Sequence, residues 1–100
     1  MKRHAARRDA NEPEIVQALQ RMGVQVWRHD TPLDLLCFDN CTKHFFWVEV
    51  KNPDVQNRRT QIQNDFIAAT RGGFRAVIET TDETIALVNA IRNGEFKNAD

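Results

Sequence analysis

A short apolar run that ends in two charged residues is the first place in the chain where chemistry could occur. Residues 45–51 read FFWVEVK, and their apolar and β-branched character predicts a buried strand. Because side chains alternate along a strand, Glu49 and Lys51 project to the same side. A carboxylate and an ammonium in a core strand are costly unless they are paired or bind a metal. The pair is therefore either a salt bridge at a strand end or an anionic ligand beside a cation.

Asp34 is a second acid that the chain brings to this pair. It lies in another apolar run, residues 33–38, and the turn-forming residues 39–42 predict an antiparallel hairpin between that run and residues 43–51. A hairpin folded symmetrically about this turn pairs residues whose numbers add up to 83, which sets Asp34 opposite Glu49. Adjacent carboxylates suit Mg²⁺, and a nearby lysine can orient a water and offset charge on a phosphate. These residues therefore fit phosphodiester hydrolysis.

A helix near the start of the chain positions a third acid. Asn11 and Glu14 predict a capping box, and the helix that follows is expected to end at Gly23. At ~100° per residue, Glu12 falls on the same side as the apolar stripe that includes Val16, whereas Glu14 lies roughly opposite. Glu12 is thus expected to face the core, either as part of a site or through a favourable interaction with the helix N-terminus.

A second helix is predicted from about Arg58 to Thr70. Its apolar stripe includes Phe66 and Ile67, and Gln63 falls inside that stripe at ~100° per residue. A glutamine that faces the core needs hydrogen-bond partners, which a charged site would supply. A partly exposed amide at the edge of the stripe is the alternative.

The remaining elements complete the predicted order α-β-β-β-α-β-α. Residues 24–28 alternate like a strand, residues 74–79 form a fourth strand, and a last helix runs from Thr81 to near Gly94. The expected fold class is α/β, with a central mixed four-stranded sheet flanked by helices. Three parts are predicted, namely a basic flexible arm at 1–10, a single domain at 11–94 and a frayed tail at 95–100.

Composition limits the function classes. One hundred residues make one domain, and 41% hydrophobic with 28% charged residues is ordinary for a globular protein. The net charge of zero argues neither for nor against nucleic acid, but the basic residues lie mostly in the first three quarters. A basic face can still follow phosphates, although solvated scatter explains the same distribution. No membrane span or secretory signal is evident, so we expect a cytoplasmic protein.

The two cysteines offer a weaker metal hypothesis. Cys37, Cys41 and His44 have a loose metal-like spacing, but no fourth ligand is evident in the sequence. Two cysteines are also too few for a disulfide framework in a chain without an export signal. We therefore expect free thiols rather than a zinc site.

The ordered set of motifs resembles the PD-(D/E)xK nuclease superfamily. More closely, residues 11–14 (NEPE), 32–36 (PLDLL), 49–51 (EVK) and Gln63 followed by Phe66 resemble the virus-type replication-repair nuclease (VRR-NUC) domains, which are relatives of the archaeal Holliday junction resolvases. The resemblance extends from about residue 9 to residue 91. It implies a restriction-endonuclease-like core.

The resemblance also implies roles for individual residues. Asp34 and Glu49 would hold Mg²⁺ or Mn²⁺ with the backbone carbonyl of Val50, Lys51 would position or activate the attacking water, and Gln63 would steady the lysine. Glu12 matches the helix-1 acid that these resolvases use near the metal. DNA contacts are expected from five arginines, namely Arg3, Arg7, Arg8, Arg58 and Arg59.

The expected function is a Mg²⁺-dependent, structure-selective DNA endonuclease that acts on branched DNA such as Holliday junctions. A chain of 100 residues has little room to read base sequence, so recognition would depend on backbone shape and charge. Symmetric cutting of a junction needs two sites, which predicts a homodimer. A nuclease for flaps, nicks or non-specific duplex is one alternative, and a non-catalytic DNA-binding module of the same fold is another. No small-molecule cofactor is expected.

Overall fold

The computed structural model describes residues 10–29, 33–52 and 59–96. Its elements follow the order α-β-β-β-α-β-α, and strands β1 to β4 form one four-stranded sheet in sequence order. The first three strands are antiparallel, and β4 is parallel to β3. The predicted α/β fold with a mixed sheet is confirmed. The bounds are α1 Glu12–Arg21, β1 Val24–Arg28, β2 Leu35–Asp39, β3 Phe45–Val50, α2 Gln61–Ala69, β4 Arg75–Ile78 and α3 Thr81–Arg92.

The hairpin between β2 and β3 has the predicted register. Leu35 pairs with Val48, and Phe38 pairs with Phe45, so the paired numbers add up to 83. β2 extends one residue beyond the prediction because the backbone N–H of Asp39 donates to the His44 carbonyl across the turn, at 2.9 Å. The position of every side chain on the two strands follows from this register.

Helices α1 and α3 cover one face of the sheet. The hydrophobic core lies between these helices and that face. α1 packs on β1 and on α3, and α3 also contacts β4. Phe46 and Val48 are fully buried on this face, as the alternation along β3 requires. Most of the core comes from apolar residues of these two helices and of the strands, including Ile15, Leu19, Val24, Leu35, Phe46, Val48, Val50, Ile78, Val88 and Ile91.

The opposite face carries aromatic side chains that are only partly covered. Cross-strand pairing places Trp27, Phe38, Phe45 and Trp47 on this face, which we call the aromatic face. α2 has no buried residue, although the ring of Phe66 lies 5.4 Å from the ring of Trp47. Phe45 is 58% exposed. Two helices therefore bury one face, whereas α2 shields the other in part.

The start of α1 differs from the prediction. Asn11 makes no side-chain capping hydrogen bond, so the predicted capping box with Glu14 is wrong. Its amide nitrogen instead donates to the carbonyls of Lys51 and Glu79, at 2.8 Å each, and a group that bridges two other elements cannot also cap its own helix. The first turn of α1 is thereby tied to the ends of β3 and β4.

α2 starts later than predicted, at Gln61 rather than near Arg58, and a capping box formed by Thr60 and Gln63 begins it. Arg58 lies outside the described residues, as do residues 1–9 of the predicted arm and residues 97–100 of the predicted tail. Phe96 is described, and it packs against the core with its ring 5.3 Å from that of Phe74. Within the described ranges, no helix is long and apolar enough to cross a membrane.

Candidate active site

The hairpin brings Asp34 and Glu49 to neighbouring strands. The register of β2 and β3, continued by one residue, sets them opposite each other, and alternation directs both towards the aromatic face. Asp34 Oδ2 accepts a hydrogen bond from the backbone N–H of Val50 at 2.7 Å. The hairpin therefore makes Asp34 and Glu49 cross-strand neighbours, and the backbone of β3 orients the Asp34 carboxylate.

Glu49 is held by two arginines. Arg59 Nε donates to Oε2 at 3.1 Å and Arg59 Nη2 donates to Oε1 at 2.7 Å, so one guanidinium contacts both carboxylate oxygens. Arg75 Nη1 lies 4.0 Å from Oε1. Glu49 is only 5% exposed, and burial of its charge is balanced by these contacts.

The pKa values of the two arginines shift in opposite directions at this site. The hydrogen bonds to Glu49 raise the pKa of Arg59. Burial lowers the pKa of Arg75, and the positive charge of Arg59 lowers it further, while Glu49 opposes both effects. Both guanidiniums stay protonated at neutral pH, and the effect of Arg59 on the pKa of Arg75 reflects the repulsion of two like charges beside Glu49.

Lys51 follows β3 directly and has a fixed backbone. Its N–H donates to the Ile78 carbonyl at 2.9 Å, and its own carbonyl accepts from Asn11 at 2.8 Å. The side chain is half-buried, and the alternation along β3 directs it to the same side as Glu49. No hydrogen bond or ion pair is made by its ammonium with the part of the chain that the structure describes. The ammonium is thus available to a ligand.

Glu12 is buried, as its position on the helix predicts. It is 2% exposed, and its Oε2 lies 3.5 Å from Arg28 Nε on β1. Among residues 10–29, 33–52 and 59–96, no three His, Cys, Asp or Glu side chains form a group that could hold a metal ion. The structure therefore brings Asp34 and Glu49 together without Glu12, whose predicted place near the metal stays a prediction.

Gln63 lies at the start of α2 and is half-buried. Its Oε1 accepts the Thr60 N–H at 2.9 Å, while its backbone N–H donates to Thr60 Oγ1 at 3.2 Å. The oxygen that would steady Lys51 is thus already used by the capping box. A contact with the lysine would use the second lone pair of that oxygen.

Two contacts of Glu49 were not predicted from the sequence. Arg59 was assigned only to DNA, and Arg75 received no role. An arginine inside the otherwise apolar run at 74–78 is the one signal that could have pointed to a buried acidic partner. No comparable signal exists for Arg59. The predicted DNA contacts Arg3, Arg7, Arg8 and Arg58 lie outside the described residues.

The cysteines are free, as expected. Cys37 is buried and Cys41 is exposed. Burial raises the pKa of the Cys37 thiol to about 12, so this group is neutral at physiological pH. A neutral, buried thiol is a poor metal ligand.

A second buried carboxylate, Asp39, lies on β2 at the turn end of the hairpin. Asp39 accepts from Arg92 Nη2 at 2.7 Å and from Thr42 Oγ1 at 2.8 Å. Arg92 also donates to the Met22 carbonyl, which joins the end of α3 to the end of α1. Burial alone would raise the pKa of Asp39, but the hydrogen bonds from Arg92, from Thr42 and from the Cys41 amide outweigh it and lower the pKa to about 2.

The carboxylate pair fits a hard divalent cation by its chemistry. Mg²⁺ and Mn²⁺ take oxygen ligands, and Mg²⁺ keeps several waters, so two carboxylates and a carbonyl suffice. Asp34, Glu49 and Val50 are neighbours on adjacent strands, and a metal ion at Glu49 would have to share or replace the contact with Arg59. No family model matches this chain, and no curated protein and no solved structure matches it either.

Proposed function

We propose that the chain is a metal-dependent, structure-selective DNA endonuclease that cuts branched DNA, such as four-way junctions. The observation that carries the proposal is the pairing of Asp34 with Glu49 on adjacent strands, where the Val50 amide fixes Asp34 at 2.7 Å and Lys51 follows at once. This arrangement supports a site for one phosphate and one hard cation. The resemblance of the sequence to VRR-NUC domains supports the same reading.

Each residue has a distinct task in this proposal. Asp34, Glu49 and the carbonyl of Val50 would hold Mg²⁺ or Mn²⁺, which would lower the pKa of a bound water and withdraw charge from the phosphate. Lys51 orients the attacking water and offsets the negative charge that develops on the phosphate oxygens. Asn11 fixes the Lys51 carbonyl, which limits how far this lysine can move away from the strand end.

DNA recognition would rest on the backbone of the nucleic acid. A domain of 100 residues has little surface for base contacts. Arg59 is the one predicted DNA contact within the described residues, and it lies at the carboxylate pair. Preference for a junction would therefore come from shape and charge.

A homodimer is part of the proposal because two strands of a junction must be cut. Phe45, at 58% exposure, and Trp27, at 45%, lie on the aromatic face, and Phe45 is at the end of β3 opposite to Glu49. A second subunit could cover these rings and leave both sites open. Light scattering should detect a dimer at micromolar concentration that Phe45→Lys dissociates, and a parent chain that is monomeric there would contradict it.

A non-catalytic DNA-binding module is a second candidate, and one observation favours it. Both oxygens of Glu49 are engaged by Arg59, with Arg75 nearby, so the metal position competes with a complete ion pair. A binding module would keep this ion pair permanently. A nuclease must be able to open it.

Cleavage of an end-labelled four-way junction, with and without Mg²⁺, tests the proposal. A linear duplex of the same sequence and Asp34→Asn serve as controls, since the asparagine keeps an oxygen for the Val50 N–H but loses the charge. Paired, metal-dependent nicks near the branch point that vanish in Asp34→Asn are the expected result. Binding without cutting would favour the non-catalytic module. Equal cutting of duplex and junction would contradict structure selectivity and favour a nuclease for flaps, nicks or duplex.

A further inference from the structure

Arg59 occupies the carboxylate that a metal ion would need. Its guanidinium contacts Glu49 through two parallel hydrogen bonds of 3.1 and 2.7 Å, and Glu49 has little other access to solvent. A metal ligand and a bidentate arginine partner draw on the same two oxygens. Metal binding at Glu49 and the ion pair with Arg59 therefore oppose each other.

The formal charges around the site also indicate that Arg59 and a metal ion compete for Glu49. Asp34 and Glu49 contribute two negative charges, and Arg59 and Arg75 place two guanidiniums at 2.7 and 4.0 Å from Glu49. A divalent cation would enter a site whose formal charge is already zero, before Lys51 is counted. If Arg59 left, the formal charge of these groups would be minus one. Removal of this single guanidinium thus favours the cation.

Of the two arginines, Arg59 is the one that can leave. Its side chain is 34% exposed, whereas that of Arg75 is 7% exposed, and Arg75 lies within β4 beside β3. Phosphate and carboxylate groups both match the planar fork of a guanidinium. Arg59 could therefore exchange Glu49 for a DNA phosphate while it keeps the same type of bidentate contact.

We propose that Arg59 is a phosphate-binding residue that occupies Glu49 until DNA is bound, so that the metal and a backbone phosphate bind together in exchange for this ion pair. The inference rests on the proposed function, because it takes the carboxylate pair to be the metal site. Metal and DNA binding are then positively coupled, and each raises the affinity of the site for the other. Arg59 is a substrate-positioning residue, and its ion pair keeps the metal affinity of the DNA-free chain low.

Calorimetric titration of the full chain with Mn²⁺ tests the exchange without any measurement of cleavage. Arg59→Gln should bind Mn²⁺ on the order of tenfold more tightly than the parent chain, because the competing guanidinium is gone. Arg71→Gln is the matched control, since Arg71 is exposed and its loss changes the net charge equally. Asp34→Asn should abolish the binding in every background.

The coupling is measured by repeating the titrations with a four-way junction in a Lys51→Ala background, which should not cut the DNA. The junction should raise the Mn²⁺ affinity of the Arg59-containing protein roughly tenfold and leave that of the Arg59→Gln protein nearly unchanged. Mn²⁺ binding that depends on Asp34 but is equally tight in the parent chain and in Arg59→Gln would overturn the exchange and leave the metal site standing. Mn²⁺ binding that is equally tight in Asp34→Asn and in the parent chain would overturn the proposed function itself.

Discussion

The turn end and the open end of the β2–β3 hairpin each have a buried carboxylate with an arginine, yet the two ion pairs differ. At one end, Arg92 contacts both oxygens of Asp39 and also the Met22 carbonyl. At the other end, Arg59 contacts both oxygens of Glu49, the cross-strand neighbour of Asp34, and no other hydrogen bond of its side chain exists within the described residues. The pairs share one geometry, but only Arg92 joins several elements at once.

This difference separates an ion pair that holds the fold from one that can be exchanged. Asp39 is fully buried, and its network joins the hairpin turn, the end of α1 and the end of α3. Arg59 faces a second guanidinium, Arg75, and is one-third exposed. Variants at the Asp39 end should therefore change stability, whereas variants at the Glu49 end should change chemistry and ligand binding.

Lys51→Ala should give the largest effect on activity, and Lys51 lies at the Glu49 end of the hairpin. Without the ammonium, the attacking water and the developing phosphate charge lose their partner, and cleavage of a four-way junction should fall by about a thousandfold. Single-turnover cleavage measures the loss, and a gel-shift assay should show junction binding that is nearly unchanged. A Lys51→Ala protein that cuts as fast as the parent chain would contradict the assigned mechanism.

Arg92→Met should destabilise the fold by about 3 kcal/mol, because it leaves the Asp39 charge buried without its main partner. Arg59→Met is the matched control and should cost about 1 kcal/mol or less, since Arg59 is more exposed and Arg75 remains beside Glu49. Urea unfolding measures both. Equal losses of unfolding free energy in the two variants would contradict the proposed difference between the Asp39 and Glu49 ion pairs.

Acid should weaken the Asp39 end in a defined pH range. The pKa of Asp39 falls from 3.8 to about 2 on folding, so the unfolded chain holds this proton more tightly. The group therefore contributes about 2 kcal/mol at neutral pH, and this contribution is lost as the pH falls from about 4 towards 2. Urea unfolding across this range should show a steeper loss for the parent chain than for Asp39→Asn. Parallel profiles for the two proteins would contradict the assignment.

Asn11→Ala should have a small effect on stability, about 1 kcal/mol, through the loss of two hydrogen bonds to the carbonyls of Lys51 and Glu79. Because one of these bonds fixes the backbone of Lys51, cleavage should also slow, by less than in Lys51→Ala. Glu14→Ala is the control, since Glu14 is exposed and forms no capping box. Thermal unfolding and single-turnover cleavage together measure both effects.

The local parts of the fold could be predicted from the sequence. Strand β1 has the predicted bounds of 24–28, and the hairpin register follows from the turn alone. Burial of Glu12 follows from the helical period. These features depend on residues that are near one another in the chain, where periodicity and turn chemistry act directly.

The contacts that the sequence did not reveal join distant segments. Asp39 and Arg92 are 53 residues apart, and nothing in the turn-forming run at 39–42 distinguishes a buried acid from an exposed one. The side chain of Asn11 could cap α1, but its amide nitrogen donates instead to two carbonyls outside this helix. Gln63 is half-buried, which agrees with the alternative of a partly exposed amide, and the local capping box takes its oxygen.

The short span of the hairpin has a consequence for the order in which the molecule assembles. Asp34 and Val50 are 16 residues apart, whereas Asn11 and Glu79 are 68 apart. Because short loops close at a lower entropy cost than long ones, we expect the hairpin with Asp34 and Glu49 to form before Asn11 contacts Glu79 during folding. Glu49 and Arg59 are only 10 residues apart, so their ion pair can form together with the hairpin. The residues of the candidate site should therefore assemble early in folding, before the contacts between the two ends of the chain.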